Sequence, residues 1–161
     1  MVFIKDYGFI LKLTTKEKEP WASYYNDNDP VYMDSCLEAF LLFDEEGYIN
    51  LETNSKGARI QAIGKDRFNR RSILNIGVDA KPEIKDDEWS IILEIPLQKL
   101  QKVYQNLNIN NVKSGFSFKG NFYKTGKNPI NNLEHYYMWN KVETSNPDFH
   151  QPSYFGDLCI A

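Results

Sequence analysis

Cysteine and histidine are scarce: two of each occur in 161 residues. Cys36 and Cys159 stand in no CxxC or Cys/His ligand spacing, which excludes a zinc-ribbon type of site and a disulfide-rich scaffold. Both lie in apolar, strand-like surroundings, so two buried thiols are expected rather than a disulfide. His135 and His150 leave little material for a histidine-based catalytic centre. Neither stands near a nucleophile elbow, and a two-histidine metal site lacks an evident third ligand. No apolar run approaches the roughly 20 residues of a membrane helix, and no apolar leader with a small-residue cleavage site follows Met1. With Met1 as the native start, the expectation is a cytoplasmic protein with no membrane partner; a mature secreted fragment would read the same way. The formal net charge is −3 and no lysine- or arginine-rich stripe appears, which speaks against nucleic acid as a partner. Alanine is also sparse, which removes the commonest helix former.

What the chain does have is aromatic and β-branched residues. At 42% hydrophobic and 14% aromatic it has the composition of a folded domain biased towards strands, and its length fits a single domain over 1–161. Strands are expected at GFILKL (8–13), CLEAFLLF (36–43), YINLET (48–53), ARIQAIG (58–64), SILNIGVDA (72–80), EWSIILEI (88–95), GFSFKGNFY (115–123), HYYMW (135–139) and FGDLCI (155–160). The segment 36–43 is apolar on both alternating faces and reads as a central strand buried on both sides. Pro96 followed by Leu97, Leu100, Val103, Tyr104 and Leu107 predicts the one helix, over 97–107. PDFHQPSYFG (147–156) holds two prolines and three aromatics, and reads as a stiff loop carrying large side chains. Short strands with turn signals and a single helix predict a mainly β antiparallel sandwich.

The faces opposite the expected core are not simply charged. They carry Asn50, Glu52, Arg59, Gln61, Lys119, Asn121 and Tyr123, and Glu38 interrupts an otherwise apolar strand. Planar amides and ionic groups hold two vicinal hydroxyls in bidentate fashion, while aromatic rings pack on the apolar C–H face of a sugar. That mixture suits a hydroxyl-rich ligand; an ordinary solvated sheet face is the alternative. Glu38 needs either a ligand or a buried ion pair, with Arg59 or Arg70 as partner.

Five segments, taken in order, carry a family resemblance: DSCLEAFL (34–41), GYINLETNSKGA (47–58), WSIILEIPLQKL (89–100), GNFYKTG (120–126) and HYYMWNKVETSNPDFHQPSYFGDL (135–158). Together they resemble the family 9 carbohydrate-binding modules, in a bacterial branch of family-9-like domains. The resemblance implies a DOMON-like, jelly-roll-like β-sandwich that binds sugar at glucan or xylan ends without catalysis. The family's site is two tryptophans that sandwich a sugar ring above a polar rim. The first tryptophan's place falls on Tyr32, with Val31 and Met33 as alternatives, and the second's on Phe149. The rim glutamate matches Glu38, and a rim asparagine before the second tryptophan matches Asn146. A later rim amide falls near Lys119, with Asn121 close by. Where the family has an arginine this chain has Asn50 or Glu52, with Arg59 as a substitute from the next strand. Trp139 matches a different family tryptophan, expected in the core. His150 is expected to donate to a loop carbonyl or to a ligand hydroxyl. The family also holds structural calcium, for which Asp27 and Asp29 of the acidic 26–29 loop are the candidates.

Three other readings stand beside sugar binding. Glu38 and Glu52 could form the carboxylate pair of a glycoside hydrolase. Met33 and His150, in the two loops flanking the expected pocket, could ligate haem, as in some DOMON-like domains. The aromatic loops could instead dock a protein partner.

Overall fold

The computed structural model describes residues 1–130 and 132–161. Among them, in chain order, are strands β1 (Val2–Ile4), β2 (Gly8–Lys16), β3 (Cys36–Asp44), β4 (Gly47–Asn54), β5 (Arg59–Gly64), β6 (Arg70–Ser72), β7 (Asp79–Lys85) and β8 (Glu88–Pro96). Helix α1 (Leu97–Val103) follows, then β9 (Ser117–Asn128), β10 (Leu133–Met138) and β11 (Gly156–Cys159). The strands form two antiparallel sheets. The smaller has the order β1-β2-β8-β7; the larger runs β10-β9-β3-β4-β5-β6, with β11 also paired to β9. The long β9 serves two partners along one edge: its first part pairs β11 and its last part pairs β10. This is the expected β-sandwich with one helix.

Period-two alternation decides the core between the sheets. Trp89, Ile91, Leu93 and Ile95 all lie on the inner face of β8 and are fully buried against Leu37, Ala39 and Leu41 of β3 and Ile49 and Leu51 of β4. Helix α1 closes one end of this core with Leu97, Leu100 and Val103. The helix stops at Val103, short of the expected 107. Tyr104 turns extended, and its hydroxyl donates to the Gly47 carbonyl at 2.9 Å inside the core. The tyrosine thus serves the β3–β4 turn rather than another helical turn.

The segment 72–80 is not one strand. After Ser72 the chain turns, with Gly77 N–H bonded to the Ile73 carbonyl and Gly77 at φ +46°, before β7 begins at Asp79. β7 carries Pro82 on the sheet's outer edge, where a missing N–H costs little. The two thiols also differ from expectation: Cys36 is buried, but Cys159, on the terminal strand, is exposed. Trp139, expected in the core, is 53% exposed and rests against Phe122 with ring centroids 5.5 Å apart.

The larger sheet is buried on both faces. Its outer face carries a second apolar cluster, Phe40, Tyr48, Tyr123, Phe149 and Phe155, and a third, Val31, Cys36 and Ala58. The segment before β3 and the one between β10 and β11 cover this face. All eight residues of β4 are therefore buried, polar ones included. Among the described residues no helix is long and apolar enough to cross a membrane.

Candidate functional site

The two covering segments leave a cleft of about 360 Å³ over the outer face of the larger sheet. Its floor is a pair of acids. Antiparallel register sets Glu38 of β3 directly opposite Glu52 of β4, and both side chains are 2% exposed. Glu52 Oε1 accepts from Asn50 Nδ2 at 2.8 Å and lies 3.5 Å from Arg70 Nη1. Glu38 Oε1 has no hydrogen-bond partner among the described residues. Burial, then the neighbouring Glu52 charge, pushes the Glu38 carboxyl well above the usual range. Burial raises Glu52 as well, to about 7, with Arg70 and Asn50 opposing. The pair therefore holds a proton that isolated carboxyls would release.

One wall comes from the 147–150 segment. Phe149 stacks flat on Tyr123, with centroids 4.1 Å apart and 7° between ring planes, while Tyr123 Oη donates to the Phe149 carbonyl. His150 packs on Phe40 at 4.8 Å, and its Nδ1 lies 2.7 Å from Tyr48 Oη. Burial, assisted by the Arg70 and Arg67 charges, lowers the His150 pKa to about 3, so the ring is neutral at physiological pH. Asp148 anchors this turn by accepting from His150 N–H and Gln151 Nε2 and by pairing with Arg67 at 2.8 Å. The other wall is the short 3-10 turn Val31–Met33. Buried Val31 pins it, leaving Tyr32 and Met33 exposed at the cleft. Asp34, just beyond, holds the turn by accepting from Ser23 N–H and hydroxyl, Tyr24 N–H and Asn54 Nδ2.

Of the residues expected from the sequence, Tyr32, Glu38, Glu52, Phe149 and His150 line this cleft. Asn50 lies in the same face but serves Glu52. Asn121 does not face the cleft: it accepts from Asn140 N–H and donates to the Asn140 carbonyl, fixing the start of the covering segment. Lys119 sits further along β9 and pairs with Asp157 at 3.6 Å. Asn146 is exposed outside the cleft, its carbonyl accepting from Thr144. Arg59 belongs to the opposite face. In the β4–β5 register it pairs with Thr53 while Ile60 pairs with Glu52, so Ile60, not Arg59, shares the carboxylates' face. Arg59 instead meets Asp27 at 3.2 Å and the Val78 carbonyl. Arg70 approaches Glu52, not Glu38. Met33 and His150, the pair considered for haem, both line the cleft, with His150 Nδ1 engaged by Tyr48. Asp27 pairs with Arg59, and Asp29 accepts from Asn26 within its own turn, so the two do not converge on a common point. Among the described residues no three His, Cys, Asp or Glu side chains gather as metal ligands do.

Sequence reasoning missed Arg67, Thr125, Lys127, Tyr136 and Pro147 as cleft residues. The signal for the first was present: KDRFNRR at 65–71 is a basic stretch joining two strands of the sheet that carries the acids. Tyr136 and Lys127 needed the β9–β10 register, which no local pattern specifies.

The family model described as carbohydrate-binding family 9 matches residues 2–160. Among solved structures, a candidate carbohydrate-binding protein from Bacteroides uniformis ATCC 8492 is 25% identical, with a TM-score of 0.73, over 94% of this chain and 72% of that one. A family 9 carbohydrate-binding module from Caldicellulosiruptor kristjanssonii in complex with glucose is 12% identical, with a TM-score of 0.67, over 97% of this chain and 72% of that one. The cellotriose complex of a family 9 module from that organism is 13% identical, with a TM-score of 0.60, over 96% and 70%. The last two likenesses speak to fold alone. No curated protein matches the sequence.

Proposed function

The chain belongs to carbohydrate-binding family 9, and from that premise we propose that it binds a saccharide, without catalysing a reaction on it, in the cleft above Glu38 and Glu52. The observation that carries this reading is the unpartnered oxygen of Glu38 at the floor of an aromatic-walled cleft. A buried polar atom without a partner is costly, and a ligand hydroxyl, donor and acceptor at once, relieves that cost. Exposed Tyr32 supplies ring surface for the apolar face of a pyranose, while Phe149, mostly buried against Tyr123, lines the opposite wall. Membership of carbohydrate-binding family 9, matched over residues 2–160, supports the same ligand class.

Burial raises both floor acids, and Glu52 is also engaged by Asn50 and Arg70. A binding role accounts for the pair without a chemical step.

A shallow site gives few contacts, so affinity is expected between about 10 μM and 1 mM. Calorimetry with glucose, xylose, cellobiose and xylobiose tests the reading. Tyr32→Ala removes an exposed ring and is expected to weaken binding roughly tenfold while leaving the melting temperature unchanged. No heat and no chemical-shift change with any saccharide would end the proposal.

A further inference from the structure

Cations collect at this cleft although the whole chain is acidic. Arg67, between β5 and β6, and Arg70, the first residue of β6, line it together with Lys127 of β9. Arg70 Nε donates to the Arg67 carbonyl at 2.9 Å, which ties the two arginines together. Beyond that bond, among the described residues, Arg70 reaches Glu52 at a long 3.5 Å. Arg67 commits Nη2 to Asp148 Oδ1. A guanidinium presents five N–H donors in a rigid fork, so most of the donors of both residues are left for a ligand. Burial raises both floor acids, so they offset this charge only in part, Glu52 through its contact with Arg70. Lys127 also pairs with Glu134, at 3.2 Å on the β10 side. The buried, unpartnered Glu38 oxygen independently marks the cleft as a place for a hydrogen-bonding guest.

We infer that the saccharide taken here carries an oxyanion, a carboxylate as in a hexuronic acid or a phosphate ester, held by Arg67 and Arg70 while Glu38 bonds a hydroxyl of the same ring. This rests on the saccharide reading of the cleft. A planar guanidinium fork matches a carboxylate or phosphate, and the charge-assisted bonds so formed are about twice as strong as neutral ones.

The full chain is titrated by calorimetry with glucose, glucuronate, methyl glucuronate and glucose 6-phosphate, with inorganic phosphate and acetate as bare anions. Glucuronate or glucose 6-phosphate is expected to bind about tenfold more tightly than glucose, with the neutral ester resembling glucose. Whichever anion leads identifies carboxylate or phosphate as the group recognised. The advantage is expected to shrink in about 0.5 M salt, where exposed charges are screened. Arg67→Gln, at a side chain 45% exposed, is expected to fold normally and to lose most of the advantage. If glucose binds and neither anionic sugar binds more tightly, the inference fails and the saccharide reading stands. If inorganic phosphate alone matches glucose 6-phosphate, the cleft is a bare anion site and the inference fails. If no sugar of either kind binds, both fail.

Discussion

At the scale of single residues the controlling fact is a buried carboxyl group with one oxygen unpartnered among the described residues. Glu38 and Glu52 lie under the covering segments, and each has its ionised form disfavoured by burial. An acid whose folded pKa is raised favours the native state at pH below its unfolded value, about 4.5, and that advantage is lost as pH rises through the folded value. For Glu52 the window runs from about 4.5 to about 7. Glu38→Gln keeps shape and hydrogen-bonding capacity but cannot ionise. Its melting temperature relative to the unaltered protein is therefore expected to increase from pH 5 to pH 8, as followed by circular dichroism. A difference that is constant across that range would show that Glu38 is not desolvated. Residue identity alone could not separate the amides that face a ligand from those that hold the backbone. Asn121 and Gln61 looked like ligand groups because they alternate with apolar neighbours. Each instead clasps both the N–H and the C=O of one loop residue, Asn140 and Val78 respectively.

At the scale of elements, alternation was legible and the choice of face was not. The central position of β3 and the apolar stripe of β8 followed directly from period two. In β5 the same rule separates Arg59 and Gln61 from Ile60 and Ala62. The core side then has to be chosen, and a sheet buried on both faces offers apolar residues on each. The polar pair turned out to face inwards. β7 escaped notice because it is an edge strand, with five of its seven positions exposed and a proline in its middle. Gln61 joins β5 to the start of β7: its Oε1 accepts from Val78 N–H at 2.8 Å and its Nε2 donates to the Val78 carbonyl at 2.7 Å. Gln61→Ala leaves the buried Val78 N–H unpaired and its carbonyl with the longer Arg59 bond, and is expected to lower stability by roughly 2 kcal/mol in urea unfolding. A loss below about 0.5 kcal/mol, the size of an ordinary surface change, would mean that β7 is held by other means.

At the scale of the whole molecule, opposed titrations set a stability optimum. At one seam between the sheets, Glu17 pairs with Lys124 at 3.1 Å and accepts from Ser35 and Trp89. Burial alone would raise the Glu17 pKa, but the Ser35, Lys124 and Trp89 contacts outweigh it and hold it low. Its stabilisation is present above about 4.5 and lost as pH falls through the folded value. His150, kept neutral with a pKa of about 3, adds stability that is full above about 6.5 and lost on acidification. Glu38 and Glu52 act in the other direction. Thermal unfolding is therefore expected to peak between about pH 5 and pH 7, and a melting temperature still rising beyond pH 8 would contradict the burial of the acids. Glu17→Gln leaves the Lys124 charge buried without its counterion. It is expected to cost roughly 3 kcal/mol, most of which is regained when Lys124→Met is added.

The architecture matters to function because one sheet, covered on both sides, delivers two facing acids to the bottom of a cleft that the covering segments leave open. The most direct test is a two-dimensional amide NMR titration of the full chain with neutral and anionic saccharides. The expected result is saturable shifts concentrated at 31–38, 50–52, 67–70 and 147–150. Shifts gathered instead around exposed Trp139 and Tyr137, or none with any sugar, would contradict the account.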